Sequence, residues 1–281
     1  MQSILDIRTT FVVVSMIGLV LFLCMVYVAR TRKTYPGFIF WTISSLLYLV
    51  ANFLIAFRGV LPDYLTIIAA NGIASVSIWI IPYGMVVFAN KHHPVWPYIL
   101  AAFFPILWVA YFTYGHPDTN ARIVTMSIIF AVATGYSSIL FKRIIPPFLK
   151  SSNLLLMFGF GISAVWSLTR IVLTLYFEPQ TASFFSTSSL QSASIIIYCG
   201  LYFFIFFGLL TLNSQRVEYD LGKATEAVKT LEGILPICAH CKKIRDDKGY
   251  WNQVETYIQH HSEATFTHSI CTECLDRLYP E

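Results

Sequence analysis

The chain has 281 residues, 56% of them hydrophobic and 12% charged, with a mean hydropathy of +0.64 and a formal charge of +4. Those proportions exclude a soluble domain of this length and specify a polytopic membrane protein. The positive excess does not mark a nucleic-acid binder, because most of it sits in loops beside apolar runs, and residues 236–281 carry five Lys/Arg against seven Asp/Glu, net −2.

Seven apolar stretches are long enough to cross a bilayer, at about 10–29, 37–57, 64–89, 96–114, 121–141, 154–177 and 189–212. Together they predict an all-α bundle over 1–212. Pro82 and Pro105 fall inside the third and fourth spans, where neighbouring helices can satisfy the freed backbone carbonyls. The first span lacks a small-residue cleavage site, so it is expected to stay as an anchor.

The connecting loops set the orientation. Arg30, Arg32, Lys33, Lys91, Lys142, Arg143 and Lys150 share one side, while Arg8, Arg58 and Arg122 on the other are mixed with Asp6, Asp63, Asp118 and Glu178. The strongly basic side reads as cytoplasmic, which places the N-terminus outside and the C-terminus inside a bacterial inner membrane.

Outer loops too short for a receptor domain leave the helices to read any stimulus. Arg170 is the only cation well inside a span, and it lies on a helically spaced stripe of Gly159, Ser163, Ser167 and Thr174. Asn52 and Asn71 sit at a similar depth, about 10 Å from the outer ends of their own spans. One shared polar site of Asn52, Asn71 and Arg170 is therefore expected, where a buried guanidinium would need partners or an anionic ligand. The more ordinary reading has Arg170 reaching outward to Glu178 or to headgroups while the small residues let helices pack closely. No mid-membrane histidine is available for haem, no lysine in the last span for a Schiff base, and no intramembrane carboxylate pair for proton relay.

Residues 213–235 turn polar and place Val217, Leu221, Ala224, Val228, Leu231 and Leu235 at alternating spacings of four and three. That is a short heptad seam, which predicts a parallel homodimer through a connector helix; an amphipathic helix lying on its own protein fits the pattern equally well. Pro236 is expected to stop the helix.

The tail, 236–281, holds Cys238-Ala-His-Cys241 and Cys271-Thr-Glu-Cys274. Two thiolates three positions apart reach one ion from a tight turn, and a second pair completes a tetrahedron, so Cys238, Cys241, Cys271 and Cys274 are the expected ligands of zinc, with iron second. Two disulfides, or four unconnected thiols, are the competing readings and suit a reducing compartment less well. His240, His260, His261 and His268 are substitute ligands only, and Cys24 and Cys199 read as small buried hydrophobes. Between the pairs, a hairpin around Asp246-Asp-Lys-Gly249, a helix over about 253–261 with Asn252 and Glu255 as its capping box, and a last helix from Cys271 are predicted. Knuckle, hairpin and helix together give a small α+β, treble-clef-like zinc module, too small to fold securely without its metal.

The run from Val228 through Pro236-Ile-Cys-Ala-His-Cys241 to Tyr250-Trp-Asn-Gln253, with Ile270-Cys-Thr-Glu-Cys274 and Leu278-Tyr-Pro-Glu281, resembles a bacterial cysteine-rich module. That module ends signalling proteins after PAS, receiver or membrane sensor regions. The resemblance covers about 54 residues and implies signal transduction without implying a reaction. Tyr35-Pro-Gly-Phe38, Leu61-Pro-Asp63 and Asn71-Gly72 are similar to membrane sensor regions that precede diguanylate cyclase domains. No Gly-Gly-Asp/Glu-Glu-Phe loop or glycine-rich ATP-binding segment accompanies them, so cyclase and kinase activity are not expected.

The expected function is a non-enzymatic membrane sensor or adaptor that relays a membrane or small-ligand stimulus to an unidentified cytosolic signalling protein. A transport or small-molecule-handling protein with a zinc- or redox-sensing tail is the alternative. Four thiolates leave zinc no open position for water, which ranks a zinc enzyme last.

Overall fold

The computed structural model describes residues 7–146, 149–178, 189–232, 235–246, 248–261, 265–267 and 269–278. Among them, seven helices are long and apolar enough to cross a membrane, which makes the chain a multi-pass membrane protein by length and composition.

These are α1 (Ile7–Thr31), α2 (Phe38–Ala56), α3 (Ala70–Phe88), α4 (Trp96–Ala110), α5 (Thr119–Ile144), α6 (Lys150–Phe177) and α7 (Ser189–Glu232). π-Helical turns at Tyr64–Ala69 and Tyr111–Gly115 extend α3 at its start and α4 at its end. Helix α2 packs between α1 and α3, α3 also meets α4 and α5, and α5 lies along α6. Large apolar side chains such as Leu100, Phe104 and Leu107 on α4 and Val165, Leu168 and Val172 on α6 remain exposed. That is the expected outer surface of a bundle whose solvent is hydrocarbon. Inside, Trp41, Phe88, Met85, Phe160 and Phe206 are fully buried.

Two local devices explain close approaches. Gly37 has φ +104°, and a Cβ there would lie 2.4 Å from the Gly84 carbonyl oxygen, so the Tyr35-Pro-Gly turn can bring α2 against α3 only with glycine. At Gly159 a Cβ would meet the Phe204 ring at 2.9 Å, which places the small-residue stripe of α6 against α7.

The chain divides into two compact units, Met1–Tyr219 and Asp220–Glu281. The first reaches further along α7 than the end of the apolar run at Leu212, because Asn213 is buried at 2% exposure and still packs within it. Its amide donates to the Lys33 carbonyl at 3.2 Å and accepts from the Tyr35 N–H at 3.2 Å. One turn on, the Arg216 guanidinium donates to the Phe88 carbonyl and lies over the rings of Tyr35 and Phe88, 4.0 and 4.8 Å from their centroids. A polar residue after an apolar run reads as solvent-facing; here it bonds backbone groups between α1 and α2.

The second unit contains the end of α7, an antiparallel pair β1 (Ile244–Arg245) and β2 (Trp251–Asn252), α8 (Val254–His261) and α9 (Thr272–Leu278). Asp246 organises the hairpin by accepting from the Lys248 and Tyr250 N–H groups and the Asn252 amide, at 3.1, 2.8 and 2.9 Å, with Gly249 at φ 88°. These donors hold the Asp246 carboxyl below the usual carboxylate range, the Tyr250 N–H most of all. The expected capping box is displaced: α8 starts at Val254, so the residue before the helix is Gln253, and the Asn252 amide is taken up by Asp246. Asp247, His268 and residues 279–281 lie outside the described residues, as do the side chains of Val228 and Leu231 in the seam.

Candidate functional site

Asn52, Asn71 and Arg170 line one cavity of about 200 Å3 inside the first unit, between side chains of α1, α2, α3, α5, α6 and α7. Each residue arrives there for a local reason. Asn52 and Asn71 stand on helices as polar side chains in apolar surroundings, and each amide donates to the carbonyl four residues back, to Tyr48 at 2.8 Å and Ile67 at 2.7 Å. That back-bond satisfies one N–H and leaves the rest of the amide for other partners. Ser163 and Ser167 do the same toward Gly159 and Ser163, and Ser167 also accepts from the Tyr198 hydroxyl at 3.2 Å.

Arg170 is 2% exposed. Its Nη2 donates to both oxygens of Glu178, at 2.8 and 2.9 Å, and to Gln191 Oε1. Glu178 is equally buried. The arginine thus finds Glu178, as the outward-reaching reading expects, but the pair is enclosed in protein. Its Nη1 has no hydrogen-bond partner among the described residues. An unmade bond on a buried donor costs on the order of 1–3 kcal/mol, and more where the donor is charged.

Arg122 and Arg58 also line the cavity. Arg122 donates to Thr119 at 2.8 Å and Thr113 at 3.4 Å. Arg58, in the loop after α2, is pushed down to about 10, first by burial and then by the Arg122 charge, with Asp63 offsetting part of the shift. Among the described residues lining the cavity there is no Asp or Glu.

Tyr202 of α7 borders the same cavity and ties three helices together. Its hydroxyl lies 2.8 Å from Ser44 Oγ on α2 and 2.6 Å from Ser77 Oγ on α3, and its ring stacks on Tyr48 at 3.9 Å between centroids. Gln191, Arg122 and Tyr202 are not singled out by the sequence as site residues, whereas Glu178 is the partner that the outward-reaching reading names. Buried Arg170 demands partners, and Gln191, the first amide side chain of the following span, is the signal that points to a second one.

In the second unit the cysteines come together two by two. The Cys238 thiol is held below the ordinary thiol range by the Cys241 N–H first, then the His240 N–H and the Cys241 thiol. Cys271 is lowered in the same way by the Cys274 N–H and thiol. Around the first pair the backbone turns tightly: Lys242 N–H donates to the Cys238 carbonyl at 3.0 Å, Cys238 N–H to the Lys243 carbonyl at 2.8 Å, and Lys242 has φ 59°. No three His, Cys, Asp or Glu side chains among the described residues converge, so Cys238 with Cys241 and Cys271 with Cys274 stand as two half-sites. His260 and His261 each spend Nδ1 on a carbonyl of their own helix, at 2.8 Å. Ile244 is the only buried side chain among the described residues from 235 onward, too little apolar burial to hold this segment by itself.

The chain matches no protein-family model, no curated protein and no solved structure.

Proposed function

We propose that the protein is a non-enzymatic sensor or signalling adaptor of a bacterial inner membrane, with its N-terminus outside and its C-terminus in the cytoplasm. It reads a small-ligand or membrane stimulus in the polar cavity and passes it along α7 to the cysteine-rich tail, which engages a signalling protein. The observation that carries this reading is the continuity of α7. One unbroken 44-residue helix supplies Gln191, Ser194, Tyr198 and Tyr202 to the cavity, is fastened at Asn213 and Arg216, and runs on to Glu232. A change in how the cavity holds its first turns displaces everything attached to its end.

The resemblance of the tail to cysteine-rich modules of signalling proteins points the same way. Its donor set suits zinc: two Cys-x2-Cys turns with Cys238 half-buried and the other three cysteines exposed, each turn with one thiol already biased toward thiolate, in a segment with one buried side chain among its described residues. Cys238, Cys241, Cys271 and Cys274 would hold the ion, which when bound cross-links the two half-sites into one fold. On α7, Leu221 is 65% exposed and Ala224 is exposed, consistent with pairing to a second copy in the plane of the bilayer.

The test is a photocrosslinking residue in place of Leu221 in the full chain in native membranes. The reading expects a crosslinked homodimer, with yield that changes when Ser194→Trp fills the cavity. A monomer under both conditions contradicts it, and solute flux that depends on Arg170 without any change at position 221 would make the protein a transporter.

A further inference from the structure

The cavity combines three features that together define a ligand. It is walled by side chains from six helices, its charged lining among the described residues is entirely guanidinium, and its most buried charged group, Arg170 at 2% exposure, has an Nη1 with no partner among those residues. We propose that it is a binding site for a small organic monocarboxylate with an apolar body. This deepens the sensor reading, on which its signalling role rests.

The carboxylate is argued from geometry and charge. Arg170 already donates from Nη2 to Glu178 and Gln191, which leaves Nη1 without an acceptor among the described residues, and a carboxylate oxygen admitted to it by a shift of the cavity wall completes the guanidinium. Because Glu178 neutralises Arg170, the attraction for an anion comes from Arg122, whose guanidinium donates to the Thr113 and Thr119 hydroxyls. The carboxylates that act on Arg122, Asp63 and Asp118, lie toward the surface: Asp63 is exposed, and Asp118 is half-buried and spends an oxygen on the Ala121 N–H at 3.0 Å. The surplus is modest, which suits one negative charge better than a phosphate dianion.

The body of the ligand follows from the rest of the wall. Ile67, Ile78, Met126, Phe130 and Ile195 make the cavity apolar away from the arginines, with Tyr198 and Tyr202 offering ring faces. An apolar cavity near 150 Å3 accepts benzene, so about 200 Å3 accommodates roughly eight non-hydrogen atoms. Benzoate and hexanoate have that size, and a long acyl chain exceeds it.

The experiment is titration of the full-length protein in nanodiscs with 13C-carboxyl benzoate and hexanoate, read by NMR, with benzyl alcohol, palmitate and inorganic phosphate as competitors. The expected result is saturable binding of both acids, resisted by neither benzyl alcohol nor phosphate at equal concentration. Affinity should fall at least tenfold in Arg170→Gln. Asn71→Asp, which introduces a competing carboxylate at the wall, should weaken the acids by a similar factor, and Ser194→Trp should abolish binding; these two variants keep the test decisive if Arg170→Gln fails to fold. Absence of saturable binding, equal competition by benzyl alcohol, or affinity unchanged in the variants overturns the proposal and leaves the cavity to water or neutral solutes. Tighter binding of palmitate or phosphate overturns it in favour of lipid or phosphate. Acid binding with no response at position 221 sinks the sensor reading and keeps the site; a response at 221 to Ser194→Trp without acid binding does the reverse.

Discussion

Glu178→Gln should destabilise the membrane unit by roughly 3–5 kcal/mol, the cost of stripping one partner from a buried ion pair. Both side chains are 2% exposed, and Arg170 Nη2 sits 2.8 and 2.9 Å from the two carboxylate oxygens. Glutamine preserves the shape but leaves a buried guanidinium with neutral acceptors only and its Nη1 still without a partner among the described residues. If the pair instead lay among headgroups, the same change would cost about 0–1 kcal/mol. Removing both charges with Arg170→Leu and Glu178→Leu should return stability to within about 2 kcal/mol of the starting protein, or above it, since an apolar pair avoids the desolvation cost. The assay is a double-mutant cycle by SDS-driven unfolding in mixed micelles, followed by tryptophan fluorescence. A single variant costing under about 1 kcal/mol, or a double variant equal to the sum of the singles, refutes the buried-pair argument.

Tyr202→Phe should cost about 0.5–1.5 kcal/mol by the same assay, because it removes the hydroxyl shared by Ser44 and Ser77 while each serine keeps its bond to the other's backbone carbonyl; an unchanged midpoint would show that the three-helix contact contributes nothing. Gly37→Ala should be among the most damaging alanine substitutions, since it strains φ +104° and sets a methyl 2.4 Å from the Gly84 oxygen; wild-type stability would contradict the close approach of α2 to α3. The purified protein should carry one zinc per chain, lost in Cys238→Ser and in Cys271→Ser alike; a tail that stays folded and metal-free after exhaustive chelation rules this out. Inserting one residue beside Lys223 should rotate the tail by about 100° and abolish photocrosslinking of its partner through a probe replacing exposed Trp251, whereas seven inserted residues should nearly restore it; equal behaviour of the two insertions would reduce the connector to a tether.

The seven spans were legible because a run of about 20 apolar residues has few other uses. The polar interior was legible in part: Arg170, Asn52 and Asn71 stand out by their chemistry, and the structure sets all three around one cavity. What closes that cavity was not, since Gln191, Arg122 and Tyr202 are ordinary residues in sequence and acquire meaning only from how α5 and α7 are rotated. The π-helical turns at Tyr64–Ala69 and Tyr111–Gly115 leave no compositional mark, being shifts of backbone register. Asn213 shows the same limit, because a residue's position after an apolar run does not reveal which backbone groups it will meet. In the tail the hairpin followed from its turn chemistry, and the helix start moved by one residue because Asp246 had a prior claim on Asn252.

Pulsed electron spin resonance between labels at position 221 in the two copies of a nanodisc-embedded dimer bears most directly on the claim that α7 carries a signal out of the cavity. Labels attached through an unnatural side chain leave the native thiols untouched. The account predicts a discrete distance between copies that shifts when Ser194→Trp fills the cavity and stays put when a tryptophan replaces exposed Leu168 on α6. One unchanging distance in all three proteins, or no measurable pair, would contradict it.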